Sequence, residues 1–503
     1  MRANSMNKRA IKKVVILGGG TAGWMSAALA KKLLGDAIEV ELVESETIGT
    51  IGVGEATIPP IKLFNSALGI SEHEFVRETK ATIKLAIKFD HWKGLGDSYY
   101  HTFGAAGKSL AFCQFHHLLA RSQQLGNKKH LWDYDLNYLC AEKGNYAFIK
   151  GQDPLLEIPN AYHFDAGLYA KFLRKFSEKL GVKRTEGLVL DAKQNPDNGF
   201  IQSLQLKDGK MIEGDLFIDC SGMVGFLTQR KLNTGYEDWS HWLRCDSALA
   251  VPSKRFNKTL PYTRSIAHTA GWQWRIPLQH RNGNGLVYSS HYMTDEQAHD
   301  VLMNNLESEP EAEPRKIKFR TGRALKQWNK NVISVGLASG FLEPLESTSI
   351  HLIQSAIVRL LHLFPHNGIN ESMVKEYNQQ SKTEYEQIRD FIILHYKVNE
   401  RDDSLFWKEL RSMEIPDSLA HKIEIFKQNG SLFREQNDLF AESSWLQVML
   451  GQGITPQDYH PIANNIPSDK LQSMLDQIQS IKAQAAAQLL PHDEFLNKLC
   501  ELR

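Results

Sequence analysis

The chain has 503 residues, 42% hydrophobic and 23% charged, with a formal net charge of +1. That length supports two or three domains around a large core, and the near-zero charge excludes an electrostatic case for nucleic acid or an anionic membrane. Cys113, Cys140, Cys220, Cys245 and Cys500 are odd in number, widely spaced and without a CxxC pair, which argues against a disulfide framework or a metal centre.

The start is polar and basic, and no run approaches the roughly 18 apolar residues of a membrane span. The expectation is a cytoplasmic chain with a flexible tail over residues 1–12. Val15-Ile-Leu17 then reads as a buried parallel strand, Gly18-x-Gly20-x-x-Gly23 as a tight turn and residues 25–34 as a helix. Gly18 allows the turn, Gly20 lets backbone approach a pyrophosphate, and Gly23 lets helix pack on strand. The helix start offers free N–H groups and its positive dipole end. Residues 38–44 form a second strand ending in Glu44, about 20 residues past the turn, the reach of a ribose hydroxyl. A glycine-rich turn alone is weak; the strand, helix and acid around it make a dinucleotide cradle the stronger reading.

Gly49-Thr-Ile-Gly52-Val-Gly54-Glu55-Ala-Thr57 is a second glycine-rich loop. Residues 79–89 read as a strand, with Ile83, Leu85, Ile87 and Phe89 packing one way and Lys84, Ala86 and Lys88 pointing the other. By pattern alone such a lysine is half-buried and solvated. Tyr162-His-Phe-Asp165 precedes a helix. Strands at 215–219 and 331–336 each run into a loop. Residues 272–293 read as a hairpin turning at Arg281-Asn-Gly-Asn-Gly285, with Trp272, Trp274 and Ile276 on one face. Two indoles side by side make a rigid wall, though an aromatic pair on a strand is more often sheet core.

Downstream, Ile350, Ile353, Ile357 and Leu360 have helical spacing, so residues 347–349 form a helix start whose free N–H groups suit an anion. After residue 375 the strand signals fade. Residues 376–396 and 468–490 read as helices, the latter on Leu471, Leu475 and Ile478 and stopped by Pro491. The expected division is an α/β body over 13–375, with an interleaved β-sheet, and a mainly α-helical region over 376–503.

One dinucleotide fingerprint followed far downstream by Asp215-Leu-Phe-Ile-Asp219-Cys-Ser-Gly222 and the glycine loop at 336–340 resembles the flavin monooxygenase superfamily. Within it, three features are similar to the flavin-dependent tryptophan halogenases. They are Gly271-Trp-Gln-Trp-Arg-Ile-Pro277, which matches WxWxIP, the Lys84-Leu-Ala-Ile-Lys-Phe89 segment, and Glu343-Pro-Leu-Glu346-Ser-Thr-Ser349. The resemblance implies an FAD-binding Rossmann-like domain of the monooxygenase type, whose helical C-terminal part covers the substrate. It implies an enzyme that takes FAD as FADH2 from a separate flavin reductase. With oxygen and chloride or bromide, such an enzyme makes hypohalous acid and halogenates an indole-type aromatic.

Carried over by residue, the resemblance places FAD on Gly18, Gly20, Thr21, Ala22, Gly23, Glu44, Gly54, Glu55, Ala56, Thr57, Asp219, Gly336 and Leu342. Catalysis falls to Lys84, which holds hypohalous acid or forms a haloamine, and to Glu346. Halide rests at Thr348 and Ser349, the flavin-side wall is Trp272 and Trp274, and the substrate meets His101, Phe103, Pro344 and Trp445. No metal, nucleic acid or membrane is expected; a homodimer is one expected assembly. Ser349 stands where the best-known members have glycine, which leaves the choice of halide open. The tyrosine pair with which tryptophan-using members grip the amino-acid group is missing around Phe440-Ala-Glu442-Ser-Ser-Trp445, which points to indole or another aromatic without that group. Two alternatives stand beside this reading: an aromatic hydroxylase consuming NADPH on the same fold, and a non-catalytic flavoprotein scaffold.

Overall fold

A computed structural model describes residues 10–48, 54–149 and 153–501. The chain divides into two units, each assembled from three segments: residues 1–80, 164–243 and 318–386, and residues 81–163, 244–317 and 387–503.

The first unit is built on an open sheet in the order Trp328–Asn329, Val332–Ser334, Leu216–Asp219, Lys13–Leu17, Glu39–Glu44, Lys183–Glu186. All neighbours are parallel except the outermost pair, Trp328–Asn329 with Val332–Ser334. Val14, Val15, Ile16, Leu42, Val43, Phe217 and Ile218 are buried. Such strands are covered on both faces, which is why they read as continuous apolar runs rather than alternating ones. The helix Thr21–Leu34 follows the first strand and packs against Ala166–Lys179 and Ser349–His362. Small residues permit that approach: Ala27, Ala28 and Ala30 are all buried on it. Ile11 and Lys12, inside the expected tail, are already tied in. Ile11 is buried, and the Lys12 and Lys13 N–H groups both donate to Asp215 Oδ2 at 3.0 Å.

In the second unit Ser247–Lys254, Arg281–Tyr288, Gly271–Pro277, Tyr262–His268, Ala86–Asp90 and Ser98–Thr102 lie side by side in one sheet. The only parallel pair among these six is Tyr262–His268 with Ala86–Asp90. The register puts Trp272, Trp274, Phe89, Tyr99 and His101 on one face. The helices Leu405–Ser412, Asp417–Asn429, Glu442–Gly451, Ser468–Gln488 and His492–Glu501 belong to this same unit. A long helix, Glu371–Lys397, runs across the expected boundary at residue 375.

Two local expectations are corrected. The expected strand over 79–89 is two strands, Thr82–Lys84 and Ala86–Asp90, which pair with different partners. At the break, Leu85 N–H donates to Pro261 O and Leu85 O accepts from Phe103 N–H. Arg281-Asn-Gly-Asn-Gly285 is strand rather than turn: Asn282 pairs with Pro277, Asn284 with Arg275 and Gly285 with Trp274. The chain reverses at residues 278–280 instead. Long-range contacts override the local turn preference here. Asn282 Nδ2 donates to Lys254 O at 2.5 Å and Asn284 Nδ2 to Ser253 Oγ at 2.9 Å. Gly285 lies under an indole, for a Cβ there would come within 2.0 Å of Trp274 Cζ2.

Candidate active site

The expected residues gather into two groups, one in each unit. In the first, Gly18 has φ +116°, and a Cβ on it would strike Cys220 O at 2.3 Å. The turn therefore crosses the end of Leu216–Asp219 at backbone contact, which a side chain would prevent. Gly20 is the helix N-cap, its Cβ position opens onto empty space, and no side chain caps the helix. Uncapped N–H groups with open space before them fit a pyrophosphate. Glu44 accepts from Arg184 Nε at 2.5 Å and lies across Gly19, where a Cβ would sit 1.5 Å from its Oε2. Gly19 was not among the expected residues, although its place beside the strand-end acid was the available signal.

Gly336 (φ +68°) lies against the same helix start, 2.9 Å from Ala22 Cβ if it carried a Cβ. Gly54, Glu55 and Ala56 form a short strand and Thr57 is buried; Gly49 and Gly52 lie outside the described residues. Burial pushes the Glu55 carboxyl up to about 7. Asp219 is the exception among the expected flavin residues. Its Oδ1 accepts from Ser221 N–H and Oγ–H, and its Oδ2 from Leu227 and Thr228 N–H. A carboxylate satisfied four times over by its own loop shapes that loop rather than reaching outward.

The Glu346 loop completes this group. Leu342, Glu343 and Glu346 are buried, Pro344 to Glu346 make one tight turn, and Ser347 follows at φ +59°. This left-handed residue re-aims the chain so that Thr348 becomes the N-cap of Ser349–His362. Thr348 Oγ1 is buried without a hydrogen-bond partner among the described residues, and no side chain caps the helix. The helix is held from its other side by Glu384, which accepts from His351 Nε2, Ser355 Oγ and Arg359 Nη2. Burial alone would raise the Glu384 carboxyl, but His351 and Arg359 outweigh it and hold it below the usual range.

In the second group, Lys84 is fully buried, not half-buried as the pattern predicts, with Nζ 5.2 Å from the centre of the Phe103 ring. Trp272 and Trp274 are buried with ring centres 6.2 Å apart, and Trp92 packs on Trp272 at 6.4 Å. His101 meets Phe391 at 5.6 Å, and Phe391 meets Trp445 at 4.8 Å edge to face. His101 and Trp445 are thus joined through a residue that was not expected. Phe391 stacks on Phe440 at 3.8 Å. In sequence it is one apolar residue of a helical repeat, and nothing local sets it apart. Lys422 Nζ lies 4.1 Å from the Trp445 ring and 3.5 Å from Asp438 Oδ2. Pro344 belongs to the Glu346 turn, in the other unit.

A parallel sheet with an uncapped helix start behind a glycine turn, carried with a separate tryptophan-walled sheet, is the build of a flavoprotein of the monooxygenase type. The chain belongs to the tryptophan halogenase family, whose profile matches residues 13–468. It is 33% identical to tryptophan 7-halogenase RebH of Lentzea aerocolonigenes, over 91% of this chain and 92% of that one. Among solved structures it is similar to Xcc4156, a flavin-dependent halogenase from Xanthomonas campestris, with TM-score 0.96 and 46% identity over 98% of this chain and 99% of that one. BrvH, a flavin-dependent halogenase from Brevundimonas sp. BAL3, follows at TM-score 0.94 and 40% identity over 98% and 100%. No helix among the described residues is long and apolar enough to cross a membrane.

Proposed function

We propose that this chain is a flavin-dependent halogenase acting on an indole-type aromatic without an amino-acid group. Bound reduced flavin supplies, with oxygen, the two-electron oxidation that turns halide into hypohalous acid. Gly18, Gly20 and Gly23 with Thr21, Ala22 and Glu44 hold the dinucleotide half, and Gly54 to Thr57, Gly336 and Leu342 close around the rest. A separate reductase delivers the reduced cofactor. Halide is held at the uncapped helix start of Thr348 and Ser349, where backbone N–H groups and the helix dipole favour an anion.

Lys84 then orients hypohalous acid by hydrogen bonding or carries the halogen as a haloamine. Its complete burial is the observation that supports this most, because a lysine shielded from water presents its ammonium to hypohalous acid without competition from solvent. Glu346 polarises the acid or takes the proton from the cationic ring, as a buried carboxylate can. Across the reaction, ArH, halide, FADH2, oxygen and one proton become ArX, FAD and two waters. His101, Phe103 and Trp445 bear on the ring. Beside Trp445 the charge of Lys422 is already shared between Asp438 and Glu435, which supports a substrate without an amino-acid zwitterion.

The test is to supply flavin reductase, bromide and a panel of indoles, and to identify products by mass spectrometry. Brominated indole is the expected result. Hydroxylated product with direct NADPH consumption would overturn the reading in favour of a hydroxylase.

A further inference from the structure

The strand that presents Lys84 is short, yet nearly every residue on it is held by a side chain from elsewhere in its unit. Gln279 Nε2 donates to Ala81 O at 2.6 Å. Thr82 Oγ–H donates to Pro277 O at 2.7 Å, at the end of the tryptophan strand. The same Thr82 oxygen is 2.9 Å from His163 Nδ1, and His163 Nε2 is 2.9 Å from Thr263 Oγ1. Ile83 N–H donates to His492 Nε2 at 3.1 Å, and His492 Nδ1 lies 3.0 Å from Thr259 O. Ala161 pairs with Lys84 itself.

These contacts fix both imidazoles. A hydroxyl has one proton, and Thr82 gives it to a carbonyl, so His163 must donate from Nδ1. His492 accepts an amide proton at Nε2 and faces a carbonyl at Nδ1, so it is neutral with its proton on Nδ1. Both rings are fully or almost fully buried. Burial first, then the charge of Lys84, holds His163 well below the ordinary histidine range, and burial holds His492 near 4. A second cation beside the lysine is thereby avoided. Thr82 and Lys84 share one face of the strand, opposite His163 and Ala161, so a shift at Thr82 is passed directly to the ammonium.

We propose that His163 and His492 are positioning residues for Lys84, each bound at both ring nitrogens so that the strand Thr82–Lys84 offers the lysine to the oxidised halogen in one place. This rests on the role given to Lys84 above. The Thr82 bond to Pro277 ties the lysine strand to the tryptophan strand, His163 links that same hydroxyl to Thr263 on the strand Tyr262–His268, and the His492 bond seals the N–H group between Thr82 and Lys84. Misplacing a reacting group by about 1 Å can cost on the order of 100-fold, so loosening this frame shows in the transfer step.

The experiment uses the full chain with FAD, a flavin reductase, bromide and indole, and reads two products. Brominated indole is measured by mass spectrometry, and hypobromous acid that escapes is caught by monochlorodimedone. Thr82→Val and His163→Phe are expected to lower kcat for brominated indole roughly 10-fold or more while the KM for indole stays within about 2-fold, with escaped hypobromous acid rising correspondingly. His492→Phe follows in the same direction. His163→Asn, which restores an N–H on the Nδ1 side, recovers most of the coupling. Variants that melt earlier but keep the wild-type ratio of brominated indole to escaped acid would overturn the proposal. If His163→Phe does not fold, the near-isosteric Thr82→Val decides. Lys84→Ala run alongside separates the two claims. Wild-type product from it refutes the role of Lys84, whereas its inactivity beside unchanged coupling in the Thr82 and histidine variants refutes only the positioning.

Discussion

The two units carry their candidate residues in different ways. In the flavin unit the residues are set by backbone: Gly18 at positive φ against Cys220, Gly20 open at a helix start, Gly336 against Ala22. In the aromatic unit they are set by side chains arriving from distant segments: His101 from residues 98–102, Phe391 from the long helix and Trp445 from residues 442–451. The candidate cradle is therefore written largely into short-range glycine positions, of which Gly18, Gly23 and Gly336 have no room for a side chain while Gly20 stands open. The candidate substrate wall is distributed, and each of its members looks locally like core.

The largest break in that comparison comes from the backbone side. Gly20→Val fills the open position at the helix start and is expected to abolish FAD retention, read by flavin absorbance after desalting; full occupancy would refute the cradle. Glu346→Gln, next in size, is expected to slow halogenation by roughly 100- to 10,000-fold if the carboxylate moves a proton. An effect of only a few-fold would return Glu346 to shaping its turn.

The aromatic unit gives a smaller, selective effect. In a competition within one tube, indole is expected to be halogenated in preference to tryptophan, at C3, because no clamp anchors a far end to present another carbon. Clear preference for tryptophan at a single benzo-ring carbon would reveal a clamp. The smallest effect concerns Glu55. Its folded pKa near 7 lies above the ordinary value of 4.5. The fold therefore favours the neutral acid, and stability falls as pH rises between those two values. Glu55→Gln should raise Tm relative to wild type at pH 8 and leave it nearly unchanged at pH 4.5, by differential scanning calorimetry without flavin.

The same contrast explains what was legible in the sequence. The first strand, the turn at Gly18 and the end of the second strand at Glu44 read correctly because each is a short-range requirement, whereas the helix starts at Thr21, four residues before the expected start, and takes Gly23 into its first turn. The start of the helix at Ser349 read correctly because a buried face repeats at helical spacing. The Asn-Gly-Asn-Gly segment misled because its residues answer to Lys254, Ser253 and Trp274 on other strands. The break at Leu85 was equally hidden, since its bonds run to Pro261 and Phe103. Asp219 ends its strand as the fingerprint predicts, yet its carboxylate answers to its own loop. The depth of Lys84 and the two histidines around it are properties of three assembled segments and have no local signature.

The central claim is that a buried lysine in the aromatic unit passes on the halogen oxidised with the flavin. Lys84→Ala, loaded with FAD and supplied with reductase, bromide and indole, tests it most directly when products are read by mass spectrometry. The account predicts that FAD occupancy is unchanged and brominated indole is absent. Brominated indole at the wild-type rate would contradict it.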